Sequence, residues 1–136
     1  MRILQGLFGA GAWIGSELIT EAGDRTFAAG QGNWSVESGA EVSWDNTDMD
    51  FACTGANAVR LAVTLTEGAV YRLGFNITAF TSGDLNCYIG GSAIAVSGEA
   101  VTSFSVDAPA GAGDWIQFAS SNFIGSIDNV SVKRVF

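Results

Sequence analysis

Apolar residues at every second position dominate the middle of the chain. One such row covers residues 59–65, and a second covers residues 71–77. A period of two is typical of β-strands that bury one face and expose the other. The turn signal Glu67-Gly68 lies between the two rows. The pattern therefore predicts two antiparallel strands joined by a tight turn.

Shorter runs of the same alternation recur along the rest of the chain. Clusters of Gly, Asn, Asp and Ser separate them, and the chain has 18 glycines and a single proline. No segment carries the apolar stripe at i, i+3, i+4 and i+7 that predicts a helix. At 136 residues and 48% hydrophobic content the chain suits one domain with a real core. About nine to eleven short strands at this spacing predict an all-β sandwich or barrel.

The C-terminal stretch Asn122 to Phe136 is expected to organise the sheet. It predicts a strand over residues 127–132, with Val130 and Val132 pointing inward. Gly125, just before this strand, permits a bulge or a close backbone approach. Because a last strand can pair only with strands made earlier, it must close a sheet that begins near the N-terminus.

Three parts of the sequence resemble a known family. The F-x-G run followed by IDNVSV at 123–132 resembles the family's closing strand, and Y-R-L-x-F at 71–75 resembles its central hairpin. E-L-I at 17–19, G-D at 23–24 and G-N-W at 32–34 follow the order of its N-terminal turn. The family is that of the carbohydrate-binding-module-like (galactose-binding-like) jelly rolls, which recur in glycoside hydrolases and in virion structural proteins of tailed phages.

This resemblance implies a two-sheet antiparallel β-sandwich, a jelly roll, over residues 17–136. Residues 1–16 precede it as an apolar N-terminal arm. The arm is too short and too rich in glycine for a membrane-spanning helix, which needs about 20 apolar residues. A signal peptide, a strand packed on its own domain and a segment that docks on another subunit are the alternatives. The predicted docking residues are Ile3, Leu4, Leu7, Phe8, Trp13 and Ile14.

Composition and motifs argue against several function classes. The net charge is −8 and the six basic residues are scattered, which disfavours nucleic acid and anionic membranes as partners. The chain has no histidine, which removes Ser-His and Cys-His catalysis. Asp45, Asp48 and Asp50 are close in sequence, but they fall in a turn signal and are interpreted as a solvated loop. No enzymatic activity is predicted.

The two cysteines are predicted to be core residues. Cys53 and Cys87 each belong to an apolar alternation, and their spacing matches no metal motif.

The resemblance also implies a structural calcium ion where the N-terminal turn meets the last strand. Asp128 is the matching carboxylate, with Glu17 or Asp24 as candidate partners. The alternatives are that no cofactor is bound and that Asp128 accepts hydrogen bonds from backbone amides near Gly23.

Sugar binding requires aromatic faces and polar groups close together. Tyr88, which alternates with the apolar Cys87 row, and Trp115 are the candidate sugar-contacting residues. The alternative is that Trp34, Trp44 and Trp115 fill the core or cover a sheet edge.

Two functions are compatible with these observations. The first, favoured by the resemblance and by the apolar arm, is a virion structural protein: a capsid decoration protein or a small tail or fibre component. Its partners would be other virion proteins, in a homo-oligomer or in many copies, and it would be located in the virion after synthesis in the host cytoplasm. The alternative is a carbohydrate-binding module or adhesin that recognises a surface glycan.

Overall fold

The computed structural model describes residues 13–96 and 101–136. Strands make up 58% of these residues and helix 4%, which confirms the all-β prediction. The eleven strands are β1 (Ile14–Glu17), β2 (Ser35–Ser38), β3 (Val42–Trp44), β4 (Met49–Ala52), β5 (Asn57–Ala62), β6 (Val70–Ser82), β7 (Leu85–Ile89), β8 (Ser92–Val96), β9 (Thr102–Pro109), β10 (Trp115–Ser120) and β11 (Ile124–Val135). One short helix, α1 (Ala22–Thr26), follows β1. Within the described residues, no helix is long and apolar enough to cross a membrane.

The strands form two antiparallel sheets that pack face to face. Sheet A has the order β3-β4-β11-β6-β9, and β1 also pairs with β11. Sheet B has the order β2-β5-β10-β7-β8. Alternate residues of both sheets are buried between them. This architecture confirms the predicted two-sheet antiparallel β-sandwich.

Strand β11 is the centre of sheet A. Its first half pairs with β4, its second half pairs with β1, and its other edge pairs with β6 along most of its length. Val130 and Val132 are both 0% exposed, as their alternation predicts. Between Asp128 and Ser131 the register shifts at a bulge, where Asn129 adopts a φ of 53°. The last strand thus closes a sheet begun near the N-terminus.

The close approach expected at Gly125 is present. A Cβ atom there would lie 2.5 Å from the Ala79 carbonyl oxygen and 2.7 Å from the Phe123 ring. Real side chains do not tolerate such distances, so only glycine allows β11 to lie against β6 at this point.

Aromatic rings join the two sheets in the core. Phe118 of β10 lies 5.6 Å from Trp34 and 5.1 Å from Phe75 of β6, measured between ring centroids. Cys53 and Cys87 are buried free thiols, as predicted, and burial raises the pKa of both. Burying each large apolar side chain is worth about 1.5–3 kcal/mol, so this core is the main source of stability.

The sequence did not predict helix α1. Its five residues are too few to show a helical stripe. The helix contains the G-D pair, and the N–H of Phe27, which follows its last residue, donates to the Gly23 carbonyl at 3.0 Å. It thus keeps the parts of the N-terminal turn in contact. The buried Asp24 carboxylate accepts hydrogen bonds from the Asn33 backbone N–H at 2.7 Å and from the Asn33 side-chain amide at 2.9 Å.

The described part of the predicted arm packs on its own domain. Strand β1 begins at Ile14, so the boundary predicted between residues 16 and 17 falls inside a strand. The Trp13 ring lies 4.7 Å from the Phe136 ring, and the Phe136 N–H donates to the Trp13 carbonyl. Trp13 and Ile14 therefore contact the last strand and the C-terminus. The other four predicted docking residues, Ile3, Leu4, Leu7 and Phe8, lie outside the described residues.

Candidate functional site

Five outward-facing residues form a straight row across sheet B. Arg60 lies opposite Gln117, and Gln117 lies opposite Tyr88. Ser35 and Ala93 extend the row to the two edge strands. We call these five residues the central row. Because neighbouring strands are about 4.8 Å apart, the row spans about 19 Å, which is long enough for an oligosaccharide chain.

Three contacts hold the Arg60 side chain in place. Its Nε donates to the Gln117 Oε1 at 2.6 Å. Its Nη1 lies 3.5 Å from the Glu37 Oε1. Its Cζ lies 3.8 Å from the centroid of the Trp115 ring, a cation–π contact. The guanidinium is therefore held over an aromatic surface.

Trp115 adjoins the central row at one end of the sheet. It lies opposite Ala62 of β5 and points away from the core, whereas the next residue, Ile116, is fully buried. The indole ring lies against the backbone of Gly91 and Gly113. It is therefore held between the β7–β8 turn and the Arg60 guanidinium.

Small residues flank the central row on both sides. Ala58 and Ala119 lie opposite each other in the next outward row, and Ala119 also lies opposite Asn86. Ala62 occupies the other side, beside Trp115. On the outer face of sheet B, the larger side chains of the central row thus lie between positions occupied by small residues.

The sequence predicted the aromatic residues of this face and missed the polar ones. Tyr88 and Trp115 were proposed separately, and the structure brings them to one surface. Arg60 and Gln117 were not predicted as site residues. Alternation places each of them outward on its own strand, but the pairing of β5 with β10 cannot be read from the sequence.

Acidic residues collect on the other sheet. Oxygens of Asp45, Asp48 and Asp50 lie within 4.8 Å of one another at the β3–β4 turn, a geometry that could hold a metal ion. The hydroxyl and backbone N–H of Thr47, with the Asp48 N–H, hold the pKa of Asp45 well below its usual range. Burial raises the pKa of Asp50 to about 6, and nearby Asp48 adds to the effect.

Two carboxylate oxygens of this region have no hydrogen-bond partner among the described residues. They are the buried Oδ1 atoms of Asp48 and Asp128. The other Asp48 oxygen accepts from the Thr78 hydroxyl at 3.0 Å. Burial raises the pKa of Asp128, and Asp48 contributes in the same direction.

The predicted calcium ligands do not form a single group in the described chain. Glu17 accepts from the Ile19 and Val132 N–H groups, and Asp24 accepts from Asn33. Asp128 instead neighbours Asp48. Asp45, Asp48 and Asp50 are the one set of three or more carboxylates brought together in the residues that the structure covers.

Comparison with known proteins shows similarity of fold. No protein-family model and no curated protein matches the chain. A solved structure described as "BiXyn10A CBM1 APO" has a TM-score of 0.58 and 16% identity, covering 82% of this chain and 93% of that one. TmCBM61, solved in complex with β-1,4-galactotriose, has a TM-score of 0.54 and 14% identity, covering 88% and 99%.

A domain of a phage protein is also similar. The enzymatically active domain of bacteriophage CBA120 tailspike protein 4 has a TM-score of 0.50 and 17% identity, covering 76% of this chain and 19% of that one. At these identities the likeness establishes the fold alone: the chain has the jelly-roll β-sandwich fold of carbohydrate-binding modules.

Proposed function

We propose that this protein is a non-catalytic carbohydrate-binding module that holds a glycan on the outer face of sheet B. The observation that carries the proposal is the central row, in which an aromatic ring, an amide and a guanidinium lie side by side with alanines at neighbouring positions. Small-molecule sites combine an apolar surface with a few well-placed polar groups, and this face has both. The carbohydrate-binding modules of similar fold support the same function.

Each side chain of the face has a distinct part in binding. The Tyr88 ring offers an apolar surface to the CH groups of a sugar, and its hydroxyl offers a hydrogen bond. Gln117 presents its amide nitrogen, because its oxygen already accepts from Arg60. Asn86 is exposed beside Tyr88 and adds a second amide. The alanines leave room for a chain to lie flat along the row.

A glycan screen with matched variants tests this proposal. We expect the protein to bind a subset of immobilised glycans, and Tyr88→Ala and Gln117→Ala to weaken that binding by tenfold or more. Arg72→Ala is the control, because Arg72 is paired with Asp107 on sheet A, away from the proposed face. Absence of glycan binding, or equal weakening by Arg72→Ala, would refute the proposal.

A structural role in a phage particle is the second candidate. The sequence favoured it, and the similar tailspike domain gives it some support, but more of the similar structures are carbohydrate-binding modules. In this proposal residues 1–12 dock on other virion proteins, and the sandwich projects from the particle. Deleting residues 1–12 would leave the isolated domain folded and would prevent its incorporation into particles. Full incorporation of the truncated protein would exclude the docking role.

A further inference from the structure

We infer that the glycan carries carboxylate groups, as uronic-acid sugars do, and that Arg60 binds one of them through Nη1 and Nη2. The inference rests on the proposed glycan-binding function and adds the chemical class of the ligand. It follows from the hydrogen-bond donors of the Arg60 guanidinium, from the position of the Glu37 carboxylate beside it, and from the distribution of charged residues around the site.

The outer edge of the Arg60 guanidinium has unused donors. Gln117 takes the Nε hydrogen, and Trp115 supports one face of the group. Nη1 and Nη2 donate no hydrogen bond to the described residues, since the contact with Glu37 is an ion pair at 3.5 Å. Two parallel N–H groups on a planar guanidinium match the two oxygens of a carboxylate. This edge, at which Glu37 forms an ion pair without a hydrogen bond, therefore fits a bidentate carboxylate.

Glu37 occupies the position that a ligand carboxylate would take. Its Oε1 is the atom near Arg60, and its Oε2 accepts from the Ser35 hydroxyl at 2.8 Å. The side chains of Arg60 and Glu37 are 36% and 37% exposed, and exposed ion pairs of this kind contribute little to stability. A ligand carboxylate with better geometry can displace Glu37 at small cost.

The acidic residues of the chain are unevenly distributed between the two sheets. Its net charge of −8 would repel an anionic ligand at long range. However, the strands of sheet B carry one acidic residue, Glu37, whereas Glu17, Asp50, Asp107 and Asp128 are carried by strands of sheet A. The charge close to Arg60 is therefore less negative than the net charge of the whole chain suggests.

Trp115 makes Arg60 suitable for this role. Binding normally costs the ordering of a long, flexible side chain. The stacking contact and the hydrogen bond to Gln117 already fix the guanidinium before the ligand arrives. A lysine at this position would keep the charge, but it would lose the planar fork and the stacking. The Arg60→Lys variant therefore keeps the positive charge while it removes the planar geometry of the guanidinium.

The decisive experiment compares acidic oligosaccharides with their carboxyl-reduced counterparts by isothermal titration calorimetry. The probes are oligomers of galacturonate, glucuronate and mannuronate, each paired with its reduced form. We expect at least one acidic oligomer to bind tenfold or more tightly than its reduced form. We expect Arg60→Lys to abolish that preference and Glu37→Gln to strengthen acidic binding several-fold. Arg72→Lys, the matched control on sheet A, should leave it unchanged.

The outcomes separate this inference from the function on which it rests. Equal binding of acidic and reduced oligomers, or an unchanged preference in a folded Arg60→Lys protein, would overturn the carboxylate inference and leave glycan binding intact. Binding of neither form, together with an empty glycan screen, would overturn both. Melting curves of each variant show whether it is folded.

Discussion

The guanidinium of Arg60 lies over the ring of Trp115, with 3.8 Å between Cζ and the ring centroid. The two residues come from neighbouring strands, β5 and β10, and both point away from the core. Their contact links the charged part of the candidate site to its aromatic part. It also places the guanidinium over one face of the indole, and Tyr88 is the aromatic residue of the central row itself.

A double-mutant cycle measures this contact. Cation–π pairs at exposed sites are worth about 0.5–1 kcal/mol, so Arg60→Met and Trp115→Leu should be non-additive by that amount in urea unfolding. Methionine keeps the aliphatic length of the arginine without its charge. Additive effects of the two substitutions would show that the Trp115 ring and the Arg60 guanidinium do not interact.

Two glycines with the same backbone conformation test the packing of the β6–β7 turn. Gly83 and Gly68 have φ of +86° and +82°, but a Cβ at Gly83 would lie 2.0 Å from the Asn122 carbonyl oxygen, whereas one at Gly68 meets open space. Gly68→Ala should cost only the left-handed backbone penalty of about 1–2 kcal/mol. Gly83→Ala should cost clearly more in chemical denaturation. Equal losses of stability in the two variants would mean that Gly83 lies further from the Asn122 carbonyl than the structure shows.

The raised pKa of Asp50 predicts an unusual dependence of stability on pH. Burial raises the pKa of Asp50 from an ordinary 3.8 to about 6, so the folded state holds this proton more tightly than the unfolded state does. The associated stability is complete below the unfolded pKa and is lost as the pH rises through the folded pKa. The melting temperature should therefore fall between about pH 5 and pH 7.

Asp50→Asn provides the control for that prediction. The variant should show a flatter profile over the same range and a higher melting temperature than the wild type at neutral pH. Asp84, an exposed aspartate in the β6–β7 turn, provides a second variant, and Asp84→Asn should retain the wild-type profile. Glu41 has its pKa lowered to about 2 by hydrogen bonds from Thr54, so its contribution is lost at more acidic pH. A wild-type melting temperature that rises from about pH 5 to pH 7 would contradict the assignment.

Glu17 is predicted to stabilise the sandwich without a metal. Its Oε2 accepts from the Val132 N–H at 2.8 Å and from the Ile19 N–H at 3.1 Å, which ties β1 to β11. Glutamine can accept the same hydrogen bonds without the charge. Bonds to charged groups are worth about 1.5–3 kcal/mol and neutral ones about 0.5–1.5 kcal/mol, so Glu17→Gln should lower the unfolding free energy by about 1–1.5 kcal/mol. The exposed Glu21 provides the control variant, Glu21→Gln.

The Glu17 measurement also tests the calcium prediction. We expect the same loss of stability in calcium and in chelator, because the donors to Glu17 belong to the chain. A loss that occurs only in calcium would restore Glu17 as a metal ligand, as the resemblance implied.

The sequence predicted those features of the fold that depend on local pattern. Alternation identified the strands and the inward positions, such as Val130 and Val132. Helix α1 was missed because five residues cannot display a helical period. The bulge at Asn129, which sets the position of Asp128, was missed because it arises from the register between β11 and β6.

The candidate site was less predictable, for a related reason. Its residues come from β5, β7 and β10, and only strand order and register place Arg60 beside Gln117 and Tyr88. The predicted grouping of Asp128 with Glu17 and Asp24 relied on a family pattern rather than on pairing. Each of these carboxylates instead has partners or neighbours set by local contacts: Val132 and Ile19 for Glu17, Asn33 for Asp24, and Asp48 for Asp128.

The central claim is that the outer face of sheet B binds a glycan, and mapping by nuclear magnetic resonance tests it most directly. The tightest ligand from the glycan screen is titrated into the ¹⁵N-labelled protein. We predict that the largest shift changes fall on the amides of Arg60, Gln117 and Tyr88, and on the Trp115 indole N–H. Changes confined to sheet A, for example at Arg72 and Asp107, would contradict the account.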